Sequence, residues 1–141
     1  MKKIFKEGDK KVYRKRVTES DQAIFHGELL HPVCSTFALA RDMEWSSRLF
    51  FLEMKEADEE GVGTMLQIEH ASPAFVGEEL VITATVEKMN GRELICAIEV
   101  MVGDRLIASG KTGQKMLKME KLVEIFRQKP TAKSQRLKSK S

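Results

Sequence analysis

From residue 80 onward the chain follows a two-residue period. Leu80, Ile82, Ala84 and Val86 alternate with Val81, Thr83 and Thr85, and Leu94, Cys96, Ile98 and Val100 repeat the alternation further on. Successive side chains of a strand point to opposite faces, so each run predicts a strand with one face turned to a core. Asn90-Gly91 between the two runs predicts a tight hairpin, because both residues tolerate the positive φ of a two-residue turn. Gly103-Asp104 predicts a second hairpin, into "RLIASGKTGQKML". Upstream, "GTMLQIEHA" reads as another strand, set off from residue 80 by the turn-forming "SPAFVGEE". Near the start, Val12, Arg14 and Arg16 alternate with Tyr13, Lys15 and Val17, a first strand whose faces are less cleanly separated.

A different pattern separates the first strand from the rest. From Ser35 to about residue 57 no Gly or Pro interrupts the chain, and Ser35 or Thr36 can cap a long helix there. The preceding "FHGELLHPVC", with Gly27 and Pro32, reads as a loop, and Gly61 and Gly63 read as the close of the helical region. "MEKLVEIFRQ" predicts a short C-terminal helix that stops before Pro130. Strand, long helix and four antiparallel strands make an α+β arrangement of one helix on one curved sheet. The sheet edges left over make a dimer the first expectation.

Charge divides the chain. The net charge is +3, yet from Arg127 onward the sequence has six basic and no acidic residues, leaving 18 basic against 21 acidic before it. One domain over residues 1–128 is expected, followed by a basic tail over 129–141. The tail lacks aromatic residues and apolar periodicity, so a solvated, disordered end is expected and nucleic-acid binding is not. Cys34 and Cys96 fit no metal-ligand spacing and read as reduced core residues. No apolar run of membrane-spanning length occurs, and charged residues stand where a signal peptide would be apolar; a soluble cytoplasmic protein without membrane association is expected.

Two polar residues stand out against this pattern. With a strict two-residue period, Thr64, Leu66, Ile68 and His70 share one face, which puts an imidazole among core residues. On the helix, Phe37, Ala40, Glu44, Ser47, Phe51 and Met54 form one stripe, with a carboxylate in its middle. A buried polar group needs a partner, so Glu44 and His70 are expected to face each other. A structural buried pair, or a Glu44 turned to solvent, stands beside a catalytic reading at this level.

"STFALARDMEW", "GVGTMLQIEHASPAFVGEEL" and "NGRELICAIEVMVGDRLIASGKTGQKML" together resemble the hot-dog-fold thioesterases, most closely the fluoroacetyl-CoA thioesterase-like group. Thr36, Glu44, Gly63 and His70 match that group's Thr before the central helix, Glu within it, and Gly and His of the following strand. The resemblance covers roughly residues 10 to 118. It implies a hot-dog fold, a dimer or a dimer of dimers with acyl-CoA sites at the interface, and hydrolysis of a thioester to free acid and coenzyme A. No metal and no organic cofactor are implied. It makes Thr36, Glu44 and His70 the catalytic set and Gly63 a substrate-binding residue. Phe25 and Leu30, in the segment before Thr36, become candidates for the edge of the acyl pocket, and a short or medium acyl group is expected. A non-catalytic acyl-CoA sensor of the same fold is the alternative.

Residues of lesser weight are His26 and His31 before the helix, Cys34 as a nucleophile, and Trp45 as packing or interface. Arg41, Arg48, Lys88, Arg92, Arg105 and Lys111 are candidates for the coenzyme A phosphates. On one helix, Thr36 and Glu44 lie roughly 12 Å apart along the axis, which favours a site shared between two subunits.

Overall fold

A computed structural model describes residues 1–128. The expectation of a disordered basic tail therefore lies outside the described residues. The chain forms β1 (Lys10–Arg16), a short 3-10 turn (Glu19–Asp21), β2 (Gln22–Phe25), β3 (Glu28–Cys34), α1 (Thr36–Met54), β4 (Glu59–His70), β5 (Glu79–Asn90), β6 (Glu93–Val102), β7 (Arg105–Lys118) and α2 (Met119–Arg127). Five strands make one antiparallel sheet in the order β1-β5-β6-β7-β4, and β2 and β3 pair separately. This is the hot-dog fold: α1 lies along the sheet, and Leu80, Ile82, Ala84, Val86, Leu94, Cys96, Ile98 and Val100 supply the inner layer beneath it.

The glycine turns sit where the alternation breaks: Gly91 has φ 63° and Gly103 has φ 57°. The segment read as a loop is instead the β2–β3 hairpin. His26 (φ 53°) and Gly27 (φ 78°) form its turn, both with positive φ. Histidine tolerates this region better than most residues, so the turn closes with two residues rather than a longer loop.

The Ser35 side chain accepts a hydrogen bond from Ala38 N at 3.0 Å and starts α1. The helix ends at Met54, before Gly61 and without either glycine. There the chain is taken over by a local turn: Glu56 N donates to the Glu59 carboxylate at 3.0 Å, and Glu59 N donates to Glu56 O. Side-chain bonds of this kind compete with helix continuation. Gly61 and Gly63 are interior residues of β4.

Leu39, Met43, Ser46, Phe50 and Met54 form the seam of α1 on the sheet, and all are essentially inaccessible. The expected stripe is thus displaced around the helix by about one residue. Ser47, Phe51 and Met54 remain buried, but Phe37 is 76 % exposed and Glu44 stands at the exposed margin.

The register of β4 on β7 holds a bulge. Gly63 is paired with Gln114 and Met65 with Gly113, leaving Thr64 without a place in the ladder. An extra residue reverses the parity of side-chain direction. Gly61 and Gly63, rather than Thr64, therefore share the helix-facing side with Leu66, Ile68 and His70. β4 is an edge strand, so this side is only partly covered: Leu66 and His70 are exposed in the single chain.

Candidate active site

Thr36 is the first residue of α1, immediately after the capping Ser35, and β4 ends at His70 beside it. Thr36 Oγ1 lies 3.0 Å from His70 Nδ1. The expected burial of His70 does not occur, and its partner is this hydroxyl, not Glu44. The hydroxyl serves as donor or acceptor according to the imidazole tautomer.

Glu44 lies two turns further along α1. Its carboxylate occupies the space over Gly63, where a Cβ on that glycine would collide with Glu44 Oε1. The peptide of Glu44 is also held. Gln114 Nε2 donates to Glu44 O at 3.0 Å and to Ser47 Oγ at 2.9 Å, while Ser47 Oγ donates to the same carbonyl at 2.9 Å. Gln114 and Ser47 are 2 % and 1 % exposed.

A cleft of about 380 Å³ opens beside Glu44, lined by Tyr13, Trp45, Arg48, Gly61, Gly63 and Gln114 together with Arg41 and Asp42. Its rim is electrostatically tied. Arg41 Nη2 bridges Asp21 (2.9 Å) and Asp42 (3.0 Å), and Lys15 reaches both carboxylates. Burial pushes the Asp21 carboxyl up, but hydrogen bonds from Thr18 N, Arg41 and Lys15 outweigh it and hold the group far below the ordinary carboxylate range. Arg48 and Lys55 clasp Glu60. Against its desolvation, these bonds and the Gly61 N–H bring Glu60 down to about 2. Glu44 has no ion-pair partner among the described residues, so its carboxylate alone faces the cleft without a counter-charge.

A single chain therefore holds two separate clusters on one face of β4. His70 and Gly63 are seven positions apart on β4, roughly 20 Å, while Thr36 and Glu44 are eight apart on α1, roughly 12 Å. Phe25 and Leu30 are on the β2–β3 hairpin, 52 % and 53 % exposed, and do not line the cleft. His26 and His31 are exposed on the same hairpin. Cys34 is buried, and desolvation together with Asp21 and Asp42 pushes its thiol up to about 11, which leaves it inert. Trp45 is 40 % exposed on the cleft wall. Of the six phosphate candidates, Arg41, Arg48, Arg92, Arg105 and Lys111 are each paired with a carboxylate. Lys88 alone has no such partner among the described residues.

The described residues thus place a hydroxyl–imidazole pair, a carboxylate without an ion-pair partner and a glycine-floored cleft along one edge strand of a hot-dog scaffold. The chain belongs to the fluoroacetyl-CoA-specific thioesterase family, whose model matches residues 17–120. Among solved structures, a Thermus thermophilus hypothetical protein described as a thioesterase superfamily member is 28 % identical, with a TM-score of 0.84 over 98 % of this chain and 96 % of that one. The fluoroacetyl-CoA thioesterase FlK is 20 % identical, with a TM-score of 0.82 over 90 % and 98 %. A hot-dog-like protein from Thermanaerovibrio acidaminovorans is 19 % identical, with a TM-score of 0.82 over 90 % and 96 %. Structures of FlK variants hold fluoroacetate with coenzyme A, or acetyl-CoA. Comparison with curated proteins gives no match.

Proposed function

We propose that this protein hydrolyses a short or medium acyl-CoA to free acid and coenzyme A, as a homodimer with Thr36, Glu44 and His70 as its catalytic set. The observation that carries the reading is the placement of the Thr36–His70 pair and the Glu44–Gly63 pair on the same face of one edge strand. Neither half suffices alone. The carboxylate either takes a proton from the water that attacks the carbonyl carbon or attacks that carbon itself, the resulting anhydride then being hydrolysed by water. The Thr36 hydroxyl and the free N–H groups at the start of α1 stabilise the oxyanion. His70 carries a proton to the departing thiolate, so one water is consumed and one acid and one thiol are released.

The two halves meet when β4 pairs antiparallel with its copy. Each strand carries the Thr64 bulge, and stepping over it aligns the helix-facing sides: Gln67 lies on the two-fold axis, Leu66 opposite the partner subunit's Ile68, and Gly63 opposite the partner subunit's His70. The same pairing satisfies the open edge of a twelve-residue strand. The exposed apolar residues Phe25, Leu29 and Leu30 of the hairpin supply surface for the acyl chain. The cytoplasm, where free thiols persist, suits the buried unpaired Cys34 and Cys96.

The test is thiol release from a panel of acyl-CoAs of two to ten carbons, together with the mass of the assembly in solution. A dimer that releases coenzyme A from the shorter members meets the expectation. Tight acyl-CoA binding with no thiol release would make the chain a sensor instead.

A further inference from the structure

We propose that Gln114 is the positioning residue for Glu44, an inference that rests on the functional reading above. Gln114 sits mid-strand in β7 on the side that faces α1. Its neighbours on that side are Ala108, Gly110, Thr112 and Met116, small or apolar residues apart from Thr112. A buried carboxamide is costly where an aliphatic side chain would fill the space, unless its amide bonds are made.

The bonds it makes converge on one helical turn. Both contacts of Nε2, to Glu44 O and to Ser47 Oγ, lie within the turn that carries the carboxylate. The amide orientation is fixed by chemistry, since a carbonyl oxygen accepts and cannot donate, so the NH₂ must face it. Ser47 closes the triangle by donating to the same carbonyl. The helix backbone is thereby pinned to β7 at Glu44 and, among the described residues, at no neighbouring turn by the same device.

The strand opposite completes the arrangement. Gly63, whose missing Cβ makes room for the carboxylate, is the direct ladder partner of Gln114. That pairing exists because Thr64 bulges out. One rung of the sheet thus grips both ends of Glu44: Gln114 holds its peptide and Gly63 receives its carboxylate. Gln114 does this without charge, so the carboxylate keeps its freedom from a counter-ion. Displacement of a catalytic group by about 1 Å can cost about 100-fold in rate, which is the scale on which an anchor of this kind acts.

The test compares Gln114→Met with the parent chain and repeats the substitution in a Glu44→Gln background. The expected result is a fall in kcat of about 10- to 100-fold with KM changed less than about threefold, and no further fall when Glu44 is already changed. An unchanged kcat, or the same loss in both backgrounds, would overturn the proposal, because a merely structural Gln114 acts whatever stands at position 44. If Gln114→Met does not fold by circular dichroism, Gln114→Glu, equal in volume but without the amide donors, takes its place in the same comparison. If the parent chain releases no thiol, the functional reading fails, and Gln114 is judged by a crystal structure of the variant. A carboxylate that has left Gly63 supports the anchor, and one still seated there overturns it.

Discussion

Thr36 Oγ1 and His70 Nδ1 lie 3.0 Å apart, although 34 positions separate them in the chain. The contact joins the first turn of the central helix to the last residue of the edge strand. With Nδ1 occupied, Nε2 is the nitrogen left to meet a substrate, and the tautomer follows from which way the hydroxyl turns.

His70→Ala and Thr36→Val should therefore separate catalysis from folding. Both side chains are exposed in the single chain, so melting temperature should change by no more than a few degrees. Thiol release should fall by about 100-fold for His70→Ala, the scale of an acid–base group. Thr36→Val, which keeps the shape and removes the hydroxyl, should cost about 10- to 100-fold in kcat. Steady-state kinetics beside thermal melts reads both quantities, and retained activity in His70→Ala removes the pair from the mechanism.

Gly63→Ala should be a catalytic lesion that leaves the fold standing. The added methyl takes the place of the Glu44 carboxylate, whose side chain can swing away because it is exposed. Replacing a strand glycine otherwise favours the extended backbone, so little stability should be lost. The expected outcome is a drop in kcat approaching that of Glu44→Gln, about 100-fold. Wild-type kinetics in Gly63→Ala would mean that the carboxylate has no need of that seat.

Much of this was legible in the sequence, and the failures have physical causes. Period-two runs and glycine turns locate β5, β6 and β7 because a strand with one covered face must alternate. The His26-Gly27 hairpin was hidden because histidine is an uncommon turn residue, though Gly27 with apolar Phe25, Leu29 and Leu30 around it was the available signal. The Thr64 bulge is invisible to a strict period and is what moves Gly63 onto the helix-facing side. The helix stripe shifted because Glu44 fits the spacing of a core residue while the seam runs through Leu39, Met43 and Phe50. Gln114 was missed because a mid-strand glutamine reads as a surface residue until its amide is seen against Glu44 O. The assignment of His70 to Glu44 failed for a related reason: pattern shows which residues share a face, not how far apart they lie along it.

Acid should loosen the rim of the cleft before the core. Asp21 and Glu60 both have folded-state pKa values below their ordinary ones. The folded chain holds these groups ionised, so their contribution to stability is complete above the unfolded carboxylate range, near about pH 4. It is lost as pH falls toward about 2. Melting temperature followed from about pH 6 to pH 2 should decline steeply in this lower window. Asp21→Asn should start lower, with Arg41 and Lys15 partly unpaired, and decline less. An equal slope in the variant would show that the acid sensitivity arises elsewhere.

The spacing of the two clusters leads to the most demanding test. Within one chain, Thr36 and Glu44 lie roughly 12 Å apart along α1 and His70 and Gly63 roughly 20 Å apart along β4, too far for one thioester carbonyl to meet all of them. In the proposed dimer, antiparallel pairing of β4 with its copy would turn this separation into an opposition, each Glu44 facing the partner subunit's Thr36 and His70. Inactive Thr36→Ala and Glu44→Gln homodimers, mixed and allowed to exchange subunits, then form heterodimers in which one site carries both lesions and the other none. With random exchange of equal amounts, about half of the dimers are mixed, and about a quarter of wild-type activity should return. Mass spectrometry establishes that exchange has occurred. If it has, and activity stays at the level of the separate variants, each site is built within one chain. The helix–strand spacing must then be bridged by movement of α1 rather than by a partner.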